Sequence, residues 1–227
     1  KEENPDLARA VVPYDEFWKD FQDSPYKTQV AAAGVPALRK VGRGEEGLAN
    51  LQGVISELAA QTNAPGMERA INTYGKYFLE AGNTPEQLKA HFESFPGIDA
   101  GNKRAQALLR IAVIGVYEDL LAVATKKKDE AQMGIYQSRI DAMFKDMNAR
   151  YQLDELSDFI LIRLGDFISK TKSEREALKY YDKIIERKRV QFRVQAQFGR
   201  AGILAKSRKA DEQAAAKAVL EEVKNGK

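Results

Sequence analysis

The sequence has no cysteine and a single histidine, His91. The lack of cysteine excludes disulfides, thiolate catalysis and zinc or iron–sulfur sites built on cysteine. The single histidine excludes a metal site with two histidine ligands, and its place between Leu88 and Phe92 is that of an ordinary helical residue. Neighbouring carboxylates such as Glu118 and Asp119 do not face each other across a site when they lie on one helix. We therefore predict no catalytic residue, no metal and no cofactor, and a protein that is not an enzyme.

Long apolar runs are missing as well. The longest, Ile111 to Tyr117, lies between Arg110 and Glu118 and is far shorter than the roughly 20 residues that a membrane-spanning helix needs. We predict a buried helix there and no transmembrane segment. With 44% hydrophobic and 30% charged residues, the chain of 227 residues has the composition of a soluble globular protein.

Proline is scarce except near the beginning of the sequence. Four of the seven prolines fall within the first 36 residues, and none follows Pro96. Because proline interrupts helices, this distribution predicts a proline-rich N-terminal arm over residues 1–44, irregular or built of short helices, before a helical domain over residues 45–227.

Two patterns in or beside this arm bear on function. A short helix predicted over residues 14–22 carries an aromatic face, which either packs the arm onto the body or stays exposed as a partner site. Its residues are Phe17, Trp18 and Phe21. The glycines at 42, 44 and 47 spell G-x-G-x-x-G, but no strand-like segment precedes them, so we do not expect a dinucleotide site.

The rest of the chain has the periodicity of amphipathic helices, and we expect roughly two thirds to three quarters of all residues to be helical. Two helix starts are especially clear. Thr84-Pro85-Glu86-Gln87 is a capping box with proline in the first helical position, and Asn102 can cap a long helix that runs to about residue 125.

A glycine pattern organises the C-terminal half. Gly165 is preceded by Leu161 and Leu164 and followed by Ile168, with Ala177 and Tyr181 further on. This order follows the helical-repeat pattern W-x2-L-G-x2-Y…A-x3-F with aliphatic substitutes. The glycine lets a neighbouring helix approach closely, and Gly199 stands 34 residues later. This half of the sequence resembles the tetratricopeptide repeat family.

The resemblance implies an all-α fold, an α-solenoid of antiparallel helix pairs that forms a tetratricopeptide-like superhelix. Glycines in comparable positions at 75 and 115 extend the pattern, although intervals of 40, 50 and 34 residues make the repeats irregular. Terminal repeats of such arrays need a polar cap or a further partner. The alanine-rich last helix, over residues 211–223, therefore suggests that the chain belongs to a longer array or makes a protein contact at this end.

Positive charge is concentrated between Arg187 and Lys209, which we call the basic block; it holds eight basic and no acidic residues. A helical wheel places Arg193 and Arg200 on one face; on another face, which we expect to pack, it places Val194, Phe198, Ala201 and Ala205. In the family that the chain resembles, the first helix of each pair lines the groove. This implies that six side chains contact a partner: Arg69, Asn72, Lys76, Arg193, Gln197 and Arg200.

Three functional hypotheses follow. The first, which the resemblance favours, is a scaffold or adaptor whose groove binds a protein or peptide segment, with guanidinium groups suited to an acidic one. The second is binding of an anionic polymer or a lipid headgroup through the basic block, although nucleic acid is not expected because such domains are usually more basic. The third is an enzyme. Since modules of this family are frequent in bacterial envelope assembly and the sequence opens without methionine, a periplasmic or other extracytoplasmic location is expected rather than a cytoplasmic one.

Overall fold

The protein is all-α. The computed structural model describes residues 5–61, 66–171, 174–187 and 190–224. Of these residues 82% are helical and none lies in a strand. The described helices are α1 Pro5–Asp20, α2 Lys27–Lys40, α3 Gly44–Ala59, α4 Met67–Glu80, α5 Pro85–Glu93, α6 Lys103–Lys127, α7 Glu130–Arg150, α8 Asp158–Thr171, α9 Glu174–Glu186, α10 Val190–Ala205 and α11 Ala210–Lys224, with a 3-10 helix at Leu153–Glu155 before α8.

Both predicted helix starts are confirmed. The Thr84 hydroxyl accepts a hydrogen bond from the Gln87 backbone N–H at 3.2 Å, and the Gln87 side chain accepts one from the Thr84 N–H at 2.7 Å. Asn102 accepts from the Ala105 N–H at 3.1 Å and begins α6. Each cap satisfies backbone donors that the first helical turn leaves unpaired.

The N-terminal region is more regular than the prolines predict. Helices α1 and α2 contain 16 and 14 residues, and Pro13 and Pro36 lie inside them. Proline removes one backbone hydrogen bond, and tertiary packing offsets that loss here. Tyr14 and Leu38 are buried in one cluster that joins α1 to α2, so the described part of residues 1–44 contains two helices packed on each other.

The chain divides into two compact units, residues 1–140 and 141–227. In the first unit each of helices α1 to α4 packs on the next, and α5 and α6 pack on α4 and on each other. In the second unit α8, α9 and α10 pack on one another, and α11 packs on α10.

Glycine sets the helix spacing in the second unit. A Cβ atom built on Gly165 of α8 would lie 2.9 Å from the Tyr181 ring of α9, and one on Gly199 of α10 would lie 2.6 Å from the same ring. Tyr181 therefore packs against both glycines. By contrast, a Cβ on Gly75 would make an ordinary contact of 3.4 Å, and one on Gly115 would meet nothing within 4 Å. Only the last two glycines of the predicted series lie at contacts too close for a side chain.

We expect Gly165→Leu to lower the free energy of unfolding by about 1–3 kcal/mol, because the new side chain overpacks a contact that Tyr181 already fills. Urea unfolding measures the change. Gly134→Leu is the matched control, since a Cβ at Gly134 meets nothing within 4 Å. Equal stability of the two variants would contradict the close contact at Gly165.

Candidate partner-binding surfaces

The solvent-facing side of α4 brings three of the predicted residues together. Arg69, Asn72 and Lys76 line a concavity of about 540 Å³. The opposite side of the helix buries Ile71 and Tyr74, so the sequence period places the polar residues outward. The rest of the lining comes from Gly66, Glu68 and Thr73.

The cations of this concavity are only weakly neutralised. Lys76 lies 3.9 Å from Glu80 and its side chain is 64% exposed. Glu80 is also bonded to Arg39 of α2, which donates to its carboxylate and, at 3.0 Å, to its backbone carbonyl. Arg69 is exposed and pairs with no carboxylate of the described residues. The concavity therefore offers positive charge together with the hydrogen-bonding groups of Asn72 and Thr73.

Behind this surface, α4 packs on α5 through an aromatic cluster that contains His91. The His91 ring stacks on Tyr74 and Phe78, with centroids 5.5 and 5.1 Å apart, and its Nε2 lies 2.9 Å from the Tyr74 hydroxyl. Burial lowers the pKa of His91. No local sequence pattern indicates this contact, since Tyr74 and His91 belong to different helices.

The second predicted group lies on α10, and there the expected orientation of the helix is wrong. Gln197 is only 3% exposed, whereas Val194 and Phe198 are 48% and 51% exposed. On the side that was expected to pack, Val194 and Phe198 thus face solvent while Ala201 is buried, and Gln197, which was expected on the groove, faces the interior.

The neighbours of α10 explain this orientation. Gly199 faces Tyr181 of α9, while Ala201 and Leu204 pack with Ala216 of α11. Two of these three residues of α10 are small, and the arc of the helix between the contacts carries the predicted polar residues. A helical wheel weighted by hydrophobicity favours valine and phenylalanine over alanine and glycine, and it therefore places the packing face too close to Val194 and Phe198.

The two arginines of this group have different surroundings. Arg200 donates to the Asp182 carboxylate at 2.7 Å and is therefore neutralised. Arg193 has its Nε atom buried without a hydrogen-bond partner. The resemblance implied that Arg193, Gln197 and Arg200 form an exposed row along a groove. The structure does not expose them in this way.

Acidic partners neutralise half of the basic block. Four of its cations pair with carboxylates that lie outside it, in the pairs Arg187–Asp158, Arg200–Asp182, Lys206–Glu174 and Lys209–Glu212. Lys188 and Arg189 lie outside the described residues. The local charge is therefore lower than the sequence suggests.

Arg187 is a structural residue. Its guanidinium donates to Asp158 at 2.7 Å and to the backbone carbonyls of Leu156 and Leu153 at 2.7 and 2.9 Å. The Asp158 side chain is 7% exposed and stands in the first turn of α8, where a negative charge is favourable. The bonds of Arg187 fix the segment that enters α8.

The aromatic residues in and just after α1 are partly packed and partly exposed. Trp18 packs against the cluster of Val11, Tyr14 and Leu38. Phe21 is 59% exposed and stacks on Phe17 with a centroid distance of 6.0 Å.

Other site types find no support within the described ranges. The glycines at 42, 44 and 47 lie where α2 turns into α3, with Gly47 against Leu38 and Val35, and only helices surround them. Among the residues that the structure describes, no group of three or more histidine, aspartate or glutamate residues is arranged to hold a metal. No described helix combines the length and the apolarity needed to cross a membrane.

Comparison with known proteins assigns no family to the chain. No family model matches the sequence, and searches of the curated proteins and of the solved structures give no significant match. The tetratricopeptide-like character therefore stays a prediction that rests on the glycine pattern.

We expect Arg187→Ala to lower the free energy of unfolding by about 3–5 kcal/mol, because it leaves the buried carboxylate of Asp158 without its partner. Chemical denaturation measures the loss. The control is Arg208→Ala, at an exposed position of the same block, which should change stability by no more than about 0.5 kcal/mol. A similar effect of both substitutions would show that the bonds of Arg187 contribute nothing specific.

Acidification should destabilise the fold through His91. Because the folded state lowers the pKa of this imidazole, the unfolded chain binds the proton more readily. The contribution of neutral His91 to stability is therefore fully present above the pKa of the unfolded chain, about 6.5. It is lost as the pH falls from that value towards the lower pKa of the folded state. The melting temperature of the wild type should drop between pH 8 and pH 5.5 more than that of His91→Phe. The same drop in both proteins would contradict this linkage.

Proposed function

We propose that the protein is a non-catalytic scaffold or adaptor that binds an acidic protein segment. In this proposal the helices form an α-solenoid of antiparallel pairs, a tetratricopeptide-like superhelix, and the segment lies in its groove. The proposed role includes bacterial envelope assembly in the periplasm, where modules of the family are frequent. It requires no cofactor and no metal.

The observation that carries the proposal is the concavity on α4. Two cations, Arg69 and Lys76, stand about two turns apart on one exposed helix face, with Asn72 between them. A peptide side chain at each end of this row can accept charge-assisted hydrogen bonds, while Asn72 and Thr73 can bond to a peptide backbone. Glu68, the acidic residue of the lining, is already engaged in an interaction of its own. These features complement a negatively charged peptide.

The alternative, binding of an anionic polymer or lipid headgroup by the basic block, stays a prediction. Half of the cations in the block are already paired with carboxylates, and Arg187 bonds to backbone carbonyls that hold the entry to α8. A polyanion would have to compete with these intramolecular partners. On the α4 surface, a ligand of Arg69 would not have to displace an intramolecular partner, because Arg69 pairs with no carboxylate of the described residues.

An array of short acidic peptides, each paired with its amide version in which Asp and Glu are replaced by Asn and Gln, tests the proposal. The wild type should select acidic members, and Arg69→Glu/Lys76→Glu should lower affinity for them by at least about tenfold. Binding to amide versions as strong as to acidic ones would contradict the proposal.

The matched control is Lys89→Glu/Lys103→Glu in the same unit. Like Lys76, Lys89 has a glutamate four residues later, at 4.0 Å, and Lys103, like Arg69, lies in the first turn of a helix. Both double variants therefore carry the same charge change in similar helical positions. Equal loss of binding in the two double variants would show non-specific attraction and would contradict a binding groove on α4.

A further inference from the structure

The corner between α1 and α2 carries exposed aromatic side chains. Phe21 is 59% exposed and Tyr26 is 65% exposed, and both lie in the turn that joins the two helices. Phe17 is partly exposed and stacks on Phe21, whose backbone N–H donates to the Phe17 carbonyl at 2.9 Å. Single exposed apolar residues are ordinary, whereas a group of large ones marks an interaction surface.

The inner side of this corner is already filled. Trp18 packs into the buried cluster that joins α1 to α2, and the ammonium of Lys27 lies 5.6 Å from the centroid of its ring. The aromatic group therefore already accepts a cation from within the chain. Phe21 and Tyr26 stay exposed, so their rings remain available to another molecule.

Carboxylates border the rings on one side. Glu16 and Asp20 are four residues apart in α1 and form a row beside Phe17. A third carboxylate, Asp23, lies in the turn that follows α1. All three are exposed and pair with no cation of the described residues. Lys19, two residues after Phe17, projects from the opposite side of the helix, so the surface beside the rings is acidic.

The arrangement matches one face of a partner helix. The row of Glu16 and Asp20 lies beside the stacked rings, and each extends over about 6 Å of the axis of α1, because four residues rise by that distance. An amphipathic helix has the same spacing, so its apolar stripe can cover the rings while Lys or Arg at the border of the stripe reaches the carboxylates. An extended strand points neighbouring side chains to opposite faces and cannot contact both rows in this way.

We propose that the corner between α1 and α2 docks a basic amphipathic helix of a protein partner. Charge complementarity selects the occupant, since the free carboxylates beside the rings favour a cationic helix and disfavour an acidic one. The residues of this surface are Glu16, Phe17, Asp20, Phe21, Asp23 and Tyr26. This inference goes beyond the acidic segment proposed for the α4 concavity, because the two surfaces carry opposite charge and select opposite partners.

Binding of synthetic helical peptides to the full chain tests the proposal. The probe is an amphipathic peptide with a leucine stripe bordered by lysine. One control peptide replaces lysine with glutamine, and the other keeps the composition in a scrambled order without a stripe. The wild type should bind the probe at least about tenfold more tightly than either control. Equal affinity for the glutamine version would overturn the basic partner, and equal affinity for the scrambled version would overturn the helix.

Glu16→Lys/Asp20→Lys reverses the charge beside the rings and should weaken binding of the probe by at least about tenfold. Lysine is favourable near the end of a helix, so the fold should be retained. The matched control is Glu221→Lys/Glu222→Lys, the same charge change at exposed positions near the end of α11, a helix without aromatic residues. Equal loss of binding in the two double variants would show attraction to net charge alone and overturn the proposal.

Phe21→Gln/Tyr26→Gln removes two rings, keeps the charge and should also weaken binding of the probe at least about tenfold. Val123→Gln/Ile135→Gln, at exposed apolar positions of the same unit, is the control and should bind as the wild type does. Wild-type affinity in Phe21→Gln/Tyr26→Gln overturns the proposal. Self-association of the wild type that this variant abolishes would identify a second copy of the chain as the occupant and would overturn it too.

Discussion

The contact of the Tyr181 ring with two glycines determines the packing of the second unit. Gly165 of α8 and Gly199 of α10 both face this ring, at distances that leave no room for a Cβ atom unless the ring moves. The Tyr181 hydroxyl donates to Asp166 at 2.8 Å, and burial raises its pKa, so it stays a neutral donor. With Gly199 turned towards α9, the rotation of α10 is fixed. Gln197 then faces the interior and Phe198 faces solvent, so the position of one aromatic ring determines which side chains remain available for binding.

Local signals made much of this fold predictable. The caps at Thr84 and Asn102 depend on side chains that bond to backbone groups within three residues, and such interactions are visible in the sequence. The close contact at Gly165 follows from small residues at fixed spacing. The prolines were a poor guide because the loss of a backbone hydrogen bond at each of them is local. The burial of Tyr14 and Leu38, which offsets this loss, joins two helices. Long-range packing decided that region.

The candidate sites were less predictable, for two physical reasons. A hydrophobic pattern identifies a packing face best where large apolar residues do all the packing, whereas α10 packs through the small residues Ala196, Gly199 and Ala201 as well as through Ile203 and Leu204. A cluster of basic residues predicts a positive surface only if its counterions are distant. Asp158 lies 29 residues before Arg187 and still pairs with it, which no local pattern indicates. On α4, where large residues such as Ile71 and Tyr74 pack, the pattern placed Arg69, Asn72 and Lys76 on one face.

Close packing and hydrogen bonding place opposite demands on α10. The Tyr181 contact fixes the rotation of this helix, and in that orientation the Nε atom of Arg193 is buried without a hydrogen-bond partner among the described residues. A buried donor that lacks an acceptor costs free energy, so a fold selected for stability alone would favour an apolar residue at this position. The contacts of α10 with α9 and α11 therefore stabilise the helix by more than this donor costs, and the position of Gly199 takes priority over the hydrogen bonding of Arg193.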